Sequence, residues 1–298
     1  MLVVPAPRRR RLPPLGALLA AVLVFLLPFP TLRAAAVTGA SSLQRTAGRL
    51  EVESRLHGWP ELRGAGFSLR YPAALASQAP VVAAAIARFA PEVLHDYGLT
   101  PAEAPVQAVL VTPAEMQRFV GGPAGDAPLG AFYEGVVWLL APEAFLPPGP
   151  GLAAAYAQGG PVAHELTHLA DAVASGGRTP PWLDEGLAQY EDWRLTGYVW
   201  SAAGFSAGTY SWSQLNGNFY ALPNIALAYR QALAATATLC RAGPGTCVGI
   251  LHALRSGEPL SQALRGAVGP DGLGRLQAGA DWLPGTAPQP GPGAGPVP

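Results

Sequence analysis

The feature that most constrains the fold of this chain is the segment His164-Glu165-Leu166-Thr167-His168. Residues four apart lie on one face of an α-helix, so a helix here brings both imidazoles to a single metal ion. Glu165 then lies beside the ion, where its carboxylate can hold a water molecule and accept its proton. The alternative interpretation is a helix with two core or surface histidines that share no ligand.

Local signals predict that this segment is helical. Pro161 follows two glycines and suits the first turn of a helix, where its missing N–H costs nothing. No helix breaker occurs from Val162 to Ala174, and Gly176-Gly177 ends the run.

A catalytic zinc site takes a third protein ligand and leaves the fourth position to water. The metzincin pattern fails, because Asp171 and Ala174 stand where it requires Gly and His. An aspartate ligand is conceivable through Asp171 or Asp184. Asp171, one turn beyond His168, is better placed to orient an imidazole than to bind the metal.

The best candidate for the third ligand is Glu185. It lies on a second predicted helix, which begins around Thr179-Pro180-Pro181 with Thr179 as a cap and runs to about Thr196, before Gly197. The other interpretation of Glu185 is an ordinary exposed carboxylate. In that case Glu191 is the replacement ligand.

The two segments together, HELTHLAD and PPWLDEGLAQYEDW, resemble the peptidase MA-like group of gluzincin metallopeptidases. That group combines HELTH, a short turn and W-L-x-E-G-x-A-x-Y. The resemblance implies that His164, His168 and Glu185 are the zinc ligands and that Glu165 is the general base. Asp171 and Gln189 stand where gluzincins often place an acid that orients an imidazole, so the partners of the two rings stay open.

The resemblance also implies a fold of the α+β class. It is zincin-like: a small mixed sheet with an edge strand along the cleft, an active-site helix and a mostly helical C-terminal part. The family's edge strand resembles the stretch from Leu129-Gly130 to Ala141-Pro142, which we predict to form one strand from Gly130 to Leu140. Further strands are predicted at 67–71 and 106–111, and helices at 80–97, 113–120 and 224–239. This order is not that of repeated βαβ units.

A tyrosine is expected to donate a hydrogen bond to the carbonyl oxygen during amide hydrolysis. Gluzincins of this type often supply one some tens of residues after the third ligand, and Tyr229 fits by position. Tyr220 and Tyr210 are its rivals. A core tyrosine without a catalytic role is the alternative interpretation.

The N-terminal residues are typical of a secretory signal peptide. Four arginines (8–11) precede an apolar run from Leu15 to Leu27, and small residues at 34–36 offer a cleavage site near Ala36. An uncleaved N-terminal anchor is the alternative. The predicted organisation is a signal peptide or anchor at 1–36, a zincin-like metallopeptidase domain at 37–283 and a disordered Pro/Gly-rich tail at 284–298.

Whether the N-terminal segment is cleaved or kept as an anchor, it predicts an extracytoplasmic protein, secreted or in the cell envelope. Cys240 and Cys247 are close in sequence and are predicted to form a disulfide. The formal net charge is zero and no lysine occurs, which excludes a nucleic-acid partner. We expect a monomer that contacts a membrane only through its N-terminal segment, if that segment is uncleaved.

The predicted function is that of an exported metallopeptidase with one Zn²⁺ per chain and a peptide or protein substrate. Zinc lowers the pKa of a water molecule, Glu165 takes its proton, and the resulting hydroxide attacks the peptide carbonyl. The competing hypothesis is a non-hydrolytic envelope binding or assembly protein that retains a zincin site.

Overall fold

A computed structural model describes residues 30–121, 127–198, 209–241 and 245–278. The predicted tail at 284–298 and the first 29 residues of the predicted signal segment lie outside these ranges. The elements, in chain order, are α1 (Pro30–Arg55), β1 (Glu61–Gly64), β2 (Phe67–Arg70), α2 (Ala79–Asp96), β3 (Val106–Val111), α3 (Pro113–Phe119), β4 (Gly130–Tyr133), β5 (Val136–Leu140), α4 (Leu152–Gly159), α5 (Val162–Ala174), α6 (Pro181–Thr196), α7 (Trp212–Asn216), α8 (Ile225–Arg241), α9 (Thr246–Arg255) and α10 (Leu260–Ala278). Three short 3₁₀ turns lie at Ala73–Leu75, Pro142–Ala144 and Phe219–Ala221.

The described strands form one five-stranded sheet in the order β1-β2-β3-β5-β4. The inner pairs β2–β3 and β3–β5 are parallel, and the outer pairs are antiparallel. Strand β5 is a continuous, fully buried apolar run, and β3 is apolar and buried except at the half-buried Gln107. Inner parallel strands are usually buried on both faces of the sheet in this way. The predicted α+β class with a small mixed sheet is confirmed.

The predicted single strand from Gly130 to Leu140 is wrong. Glu134 and Gly135 both have positive φ, 54° and 77°, and Tyr133 pairs with Val136 across them. Positive φ at both central residues is typical of a type I′ turn, the commonest way to close a two-residue hairpin. The chain therefore folds back, and β4 becomes the edge strand of the sheet.

The two faces of the sheet are covered by different elements. On one face, Leu110 of β3 belongs to the larger core, together with Ile86 of α2 and Leu166 of α5. On the other face, Trp138 of β5 packs in a smaller core with Val52 of α1 and residues of α3.

Helix α1 is absent from the sequence-based prediction. It buries Ala34 and Val52, and Arg49 donates a hydrogen bond of 2.8 Å to the main-chain oxygen of Gly135 in the hairpin turn. The predicted cleavage point near Ala36 lies inside this helix. Within the described ranges, no helix combines the length and the apolar character that a membrane crossing requires.

Helices α5 and α6 agree closely with their predicted extents. Two consecutive glycines with positive φ, Gly176 and Gly177, follow α5, and Gly197 with φ of 74° caps α6. The predicted cap of α6 is wrong: residue 180 occupies the N-cap position without a side-chain hydrogen bond. The hydroxyl of Thr179 instead donates to Asp171 over 2.7 Å.

Candidate metal centre

The three predicted ligands come together between α5 and α6. Oε2 of Glu185 lies 3.3 Å from Nε2 of His164 and 3.7 Å from Nε2 of His168. All the ligand atoms of this group lie within 4.8 Å of one another. Tetrahedral zinc, with bonds of about 2.0–2.1 Å to nitrogen and oxygen, places its ligand atoms roughly 3.3 Å apart.

The carboxylate oxygen that faces the imidazoles has no hydrogen-bond partner. Oε2 of Glu185 is buried and unpaired, although carboxylate oxygens that are buried normally accept hydrogen bonds because leaving them bare is costly. A cation between this oxygen and the two Nε2 atoms satisfies all three. Two imidazoles and one carboxylate form a donor set that suits zinc, so the residues present fit the ion.

Each imidazole is held by a carboxylate on its other ring nitrogen. Nδ1 of His164 is 3.1 Å from Asp192, and Nδ1 of His168 is 2.7 Å from Asp184. Such contacts fix the ring orientation and the tautomer that directs Nε2 to a metal. Asp184 is therefore an orienting residue rather than a ligand.

The predicted orienting role of Asp171 is wrong, because its side chain turns to Thr179 in the loop after α5. The amide of Gln189 donates instead to the main-chain oxygens of Glu185 and Tyr229, over 3.2 and 2.9 Å. Sequence reasoning missed Asp192. Its spacing of seven residues from Glu185, two helical turns, is the signal that places both on the same side of α6.

The glycine that follows Glu185 permits a close approach between α6 and α8. A Cβ at Gly186 would lie 2.2 Å from the hydroxyl oxygen of Thr236 and 2.6 Å from the main-chain oxygen of Ala232. Only glycine fits at this contact without displacing backbone. The pairing of α6 with α8 brings the tyrosines of the C-terminal part to Glu185.

Two phenols bind the outer oxygen of Glu185. The hydroxyls of Tyr220 and Tyr229 donate to Oε1 over 2.9 and 3.0 Å. With Oε1 bonded in this way, Oε2 is the oxygen left to face the imidazoles. Tyr210 is held elsewhere, since its hydroxyl accepts the main-chain N–H of Asn224 over 2.7 Å.

Glu165 is buried, 5 % exposed, under the edge strand of the sheet. A Cβ at Gly130 would lie 2.6 Å from Cγ and 2.7 Å from Oε1 of Glu165. Glycine at the first position of β4 therefore lets the strand pass directly over the carboxylate.

Glu191, the replacement ligand, belongs to a separate ion pair. Its carboxylate is buried and accepts hydrogen bonds of 2.7 and 3.0 Å from Arg194. Arg194 also bonds Asp96 of α2. The group therefore links α6 to α2 rather than binding the ion.

Burial and neighbouring charges shift the pKa values of the site. Burial raises the pKa of Glu165 to about 7, against the opposing effect of the two imidazoles. Burial alone would raise the pKa of Glu185, but His164 and His168 outweigh it and lower that pKa to about 2.

The pKa values of the imidazoles shift the other way. Burial alone would lower the pKa of His168, but Asp184 and Glu185 outweigh it and raise that pKa to about 9. The pKa of His164 likewise stays well above its usual value despite burial, because Asp192 and Glu185 lie close. The carboxylates thus create a field that favours positive charge.

A cleft of about 470 Å³ opens above the centre. The edge-strand segment forms one side of it, and Tyr198 and Tyr229 form another part of its wall. Its described lining residues are Ala127, Pro128, Leu129, Gly130, Gly159, Gly160, Pro161, His164, Glu165, Gln189, Asp192, Tyr198 and Tyr229. Three predicted site residues, His164, Glu165 and Tyr229, therefore line the same space.

Comparisons of the chain with protein-family models, with curated proteins and with solved structures found no match. What the chain can do is therefore argued from the geometry of this centre. Three converging donor side chains, two oriented rings and a buried acid under an accessible cleft are the parts that hydrolysis by an activated water molecule requires.

Proposed function

We propose that this protein is a zinc-dependent metallopeptidase of the gluzincin type, with a zincin-like fold. The observation that carries the proposal is the unpaired Oε2 of Glu185, which lies 3.3 and 3.7 Å from the Nε2 atoms of the two imidazoles. That arrangement leaves three donors around one point, with space above it for water and a substrate carbonyl.

When bound by His164, His168 and Glu185, a zinc ion supplies Lewis acidity and lowers the pKa of water toward about 7. Glu165 accepts a proton from the attacking water as the new C–O bond forms. It then donates that proton to the leaving amine nitrogen as the C–N bond breaks, so the reaction consumes one water molecule.

Two aspartates and two tyrosines support the proposed reaction. Asp184 and Asp192 hold the imidazole rings. Tyr229 lines the cleft, and its one hydroxyl proton is donated to Oε1 of Glu185. We assign to Tyr229 the hydrogen bond to the carbonyl oxygen on which negative charge develops, which requires that its hydroxyl turn from Glu185 to the substrate. Tyr220 is the positioning residue for Glu185.

We also place this activity outside the cytoplasm, in the secreted or cell-envelope fraction. Cys240 and Cys247 are disulfide-bonded, which is usual in oxidising compartments and rare in the cytosol. The basic and apolar N-terminal sequence has the order of a secretory signal.

The test compares the wild-type protein with Glu165→Gln on a degenerate peptide library, with and without a chelator. We expect zinc-dependent cleavage by the wild type and a loss of about 10²–10⁴-fold in the variant, while metal analysis shows that zinc is retained. Glu92→Gln, at an exposed position of α2, is the matched control and should keep full activity. Cleavage by Glu165→Gln, or cleavage that survives the chelator, would contradict the proposal; zinc binding without any cleavage would favour the binding or assembly protein.

A further inference from the structure

The cleft is acidic, and among its described lining residues no side chain other than that of a histidine can carry positive charge. Among its described lining residues, the ionisable acids are Glu165 and Asp192. Asp184 and Glu185 lie directly beneath, each close to His168. With neutral imidazoles, a bound dication leaves these four carboxylates with a net charge of −2.

The sequence explains why no cation balances this charge. From residue 119 to residue 229, which includes every described segment that lines the cleft, the only basic residues besides histidine are Arg178 and Arg194. Arg194 is paired with Glu191 and Asp96. Arg178 follows the C-terminal end of α5, whereas Glu165 lies in the first turn of that helix.

The rim of the cleft is apolar and aromatic. Leu129 and Tyr198, which line it, are 39 % and 41 % exposed. Tyr133 at the far end of β4 is 44 % exposed, and Tyr220, which reaches Glu185, is 57 % exposed. Exposed side chains of this kind bury apolar area when a partner with similar side chains binds.

These two observations predict how the site treats a peptide. A carboxylate brought into the cleft meets like charge and finds no guanidinium or ammonium group to pair with. An uncharged apolar segment is not repelled by these carboxylates, and it buries apolar area against the rim.

Resting on the proposed peptidase function, we propose that the site cleaves apolar peptide segments and rejects carboxylates, both of Asp or Glu side chains and of a free C-terminus. The rejection comes from the acidic floor, and the preference for apolar side chains comes from Leu129 and Tyr198. The enzyme then does not act as a carboxypeptidase.

The first experiment measures which peptides of a degenerate library the zinc-loaded wild type cleaves, and where. We expect cleavage at bonds flanked by Leu, Phe, Tyr or Ala, and no release of single C-terminal residues. In matched decapeptides, replacing the residue next to the scissile bond by Glu rather than Gln should lower kcat/KM by about 10–100-fold. The difference should shrink as salt is raised, because salt screens charge.

The second experiment supplies the missing cation. Leu129→Arg places a guanidinium at the rim, and Leu129→Gln is its uncharged control. In Leu129→Arg, the kcat/KM for the Glu-containing decapeptide should rise about tenfold relative to that for the Gln-containing decapeptide. In Leu129→Gln, this ratio should stay at its wild-type value. Since both variants lose the leucine, both should cleave the apolar peptide less well.

The outcomes separate the two proposals. Zinc-dependent cleavage that ignores charge, favours acidic residues or releases single C-terminal residues would overturn this inference and leave the peptidase proposal standing. A complete lack of zinc-dependent cleavage would overturn both.

Discussion

Helices α5 and α6 bury many polar side chains, whereas helix α1 exposes apolar ones. Seven of the ten buried polar or charged residues that are described belong to α5, its C-cap or α6. Helix α1 instead turns leucines outward, with Leu43 and Leu50 exposed by 73 % and 61 %. Burying polar groups costs free energy unless they are paired, so their concentration in one region identifies the part of the molecule organised around chemistry. Substitutions should then have large effects in the first region and small ones in the second.

The largest effect is expected for His168→Ala. The variant should bind no stoichiometric zinc and should lose several kcal/mol of unfolding free energy in the presence of zinc, because metal-binding free energy stabilises the folded state. Metal analysis and thermal unfolding with and without zinc measure both quantities. His57→Ala, at an exposed position, is the control. A His168→Ala protein that still binds one zinc per chain would contradict the assignment of His168 as a ligand.

A smaller effect, dependent on pH, is expected at Glu191. Burial raises the pKa of Glu191 to about 7 from an ordinary value of 4.5, against the opposing effect of Arg194. The folded state therefore holds a proton that the unfolded chain releases between these pH values, and the contribution of Glu191 to stability falls as pH rises through this window.

Glu191→Gln removes that dependence. The pKa of Glu191 is raised from 4.5 to about 7, and each unit of such a shift corresponds to about 1.4 kcal/mol of stability. From pH 5 to pH 8, the unfolding free energy of Glu191→Gln should therefore rise relative to that of the wild type, by no more than about 3 kcal/mol. Urea unfolding at several pH values measures it, with Glu92→Gln as an exposed control. Stability curves of wild type and Glu191→Gln that run parallel would contradict this.

Asp184→Asn tests the carboxylate that contacts the imidazole of His168. Loss of its charge from Nδ1 of His168, now at 2.7 Å, should weaken zinc binding by about 10–100-fold while the fold is kept. Competition with a chromogenic chelator measures the affinity. Asp271→Asn, an exposed substitution on α10, is the control, and unchanged affinity in Asp184→Asn would contradict the orienting role.

Tyr220→Phe should have a smaller effect on the same measurement. One of the two hydrogen bonds to Oε1 of Glu185 is lost, and Tyr229 retains the other. We expect zinc affinity to fall by about 2–10-fold, less than for a fully buried bond to a charged group because Tyr220 is largely exposed. Tyr198→Phe is the matched control at an exposed tyrosine. Equal affinities in Tyr220→Phe and wild type would remove Tyr220 from the support of the ligand.

The smallest effect is expected for Leu43→Ser on α1. At 73 % exposure, the substitution should change unfolding free energy by no more than about 0.5 kcal/mol. Chemical unfolding checks it. A loss above 2 kcal/mol would show that the outer face of α1 is covered, and would remove the contrast between the two regions.

The parts of the centre that the sequence predicts are those set by helical periodicity. His164 and His168 share a face because they are four residues apart, and the E-G motif locates Glu185 on the next helix. The partners of the rings could not be assigned in this way. Both Asp171 and Asp184 lie near His168 in sequence or in space, and only the packing of α6 against α5 determines that Asp184 binds the ring.

The errors in the fold have local physical causes. Glu134 at positive φ is a conformation that glutamate seldom adopts, so nothing in the residue pair Glu134-Gly135 marked a hairpin as strongly as Asn-Gly would. Helix α1 was missed because its buried side carries small and polar residues, including Thr38 and Gly48, so it lacks the apolar stripe by which amphipathic helices are predicted.

The two phenols on Glu185 lie 35 and 44 residues farther along the chain. A polypeptide is made from its N-terminus, so the imidazoles and Glu185 emerge well before the groups that fix Glu185 in place. For the peptidase that we propose, hydrolysis would then require that the C-terminal helices have docked. The order of synthesis would thus keep the proposed activity switched off in an incomplete chain.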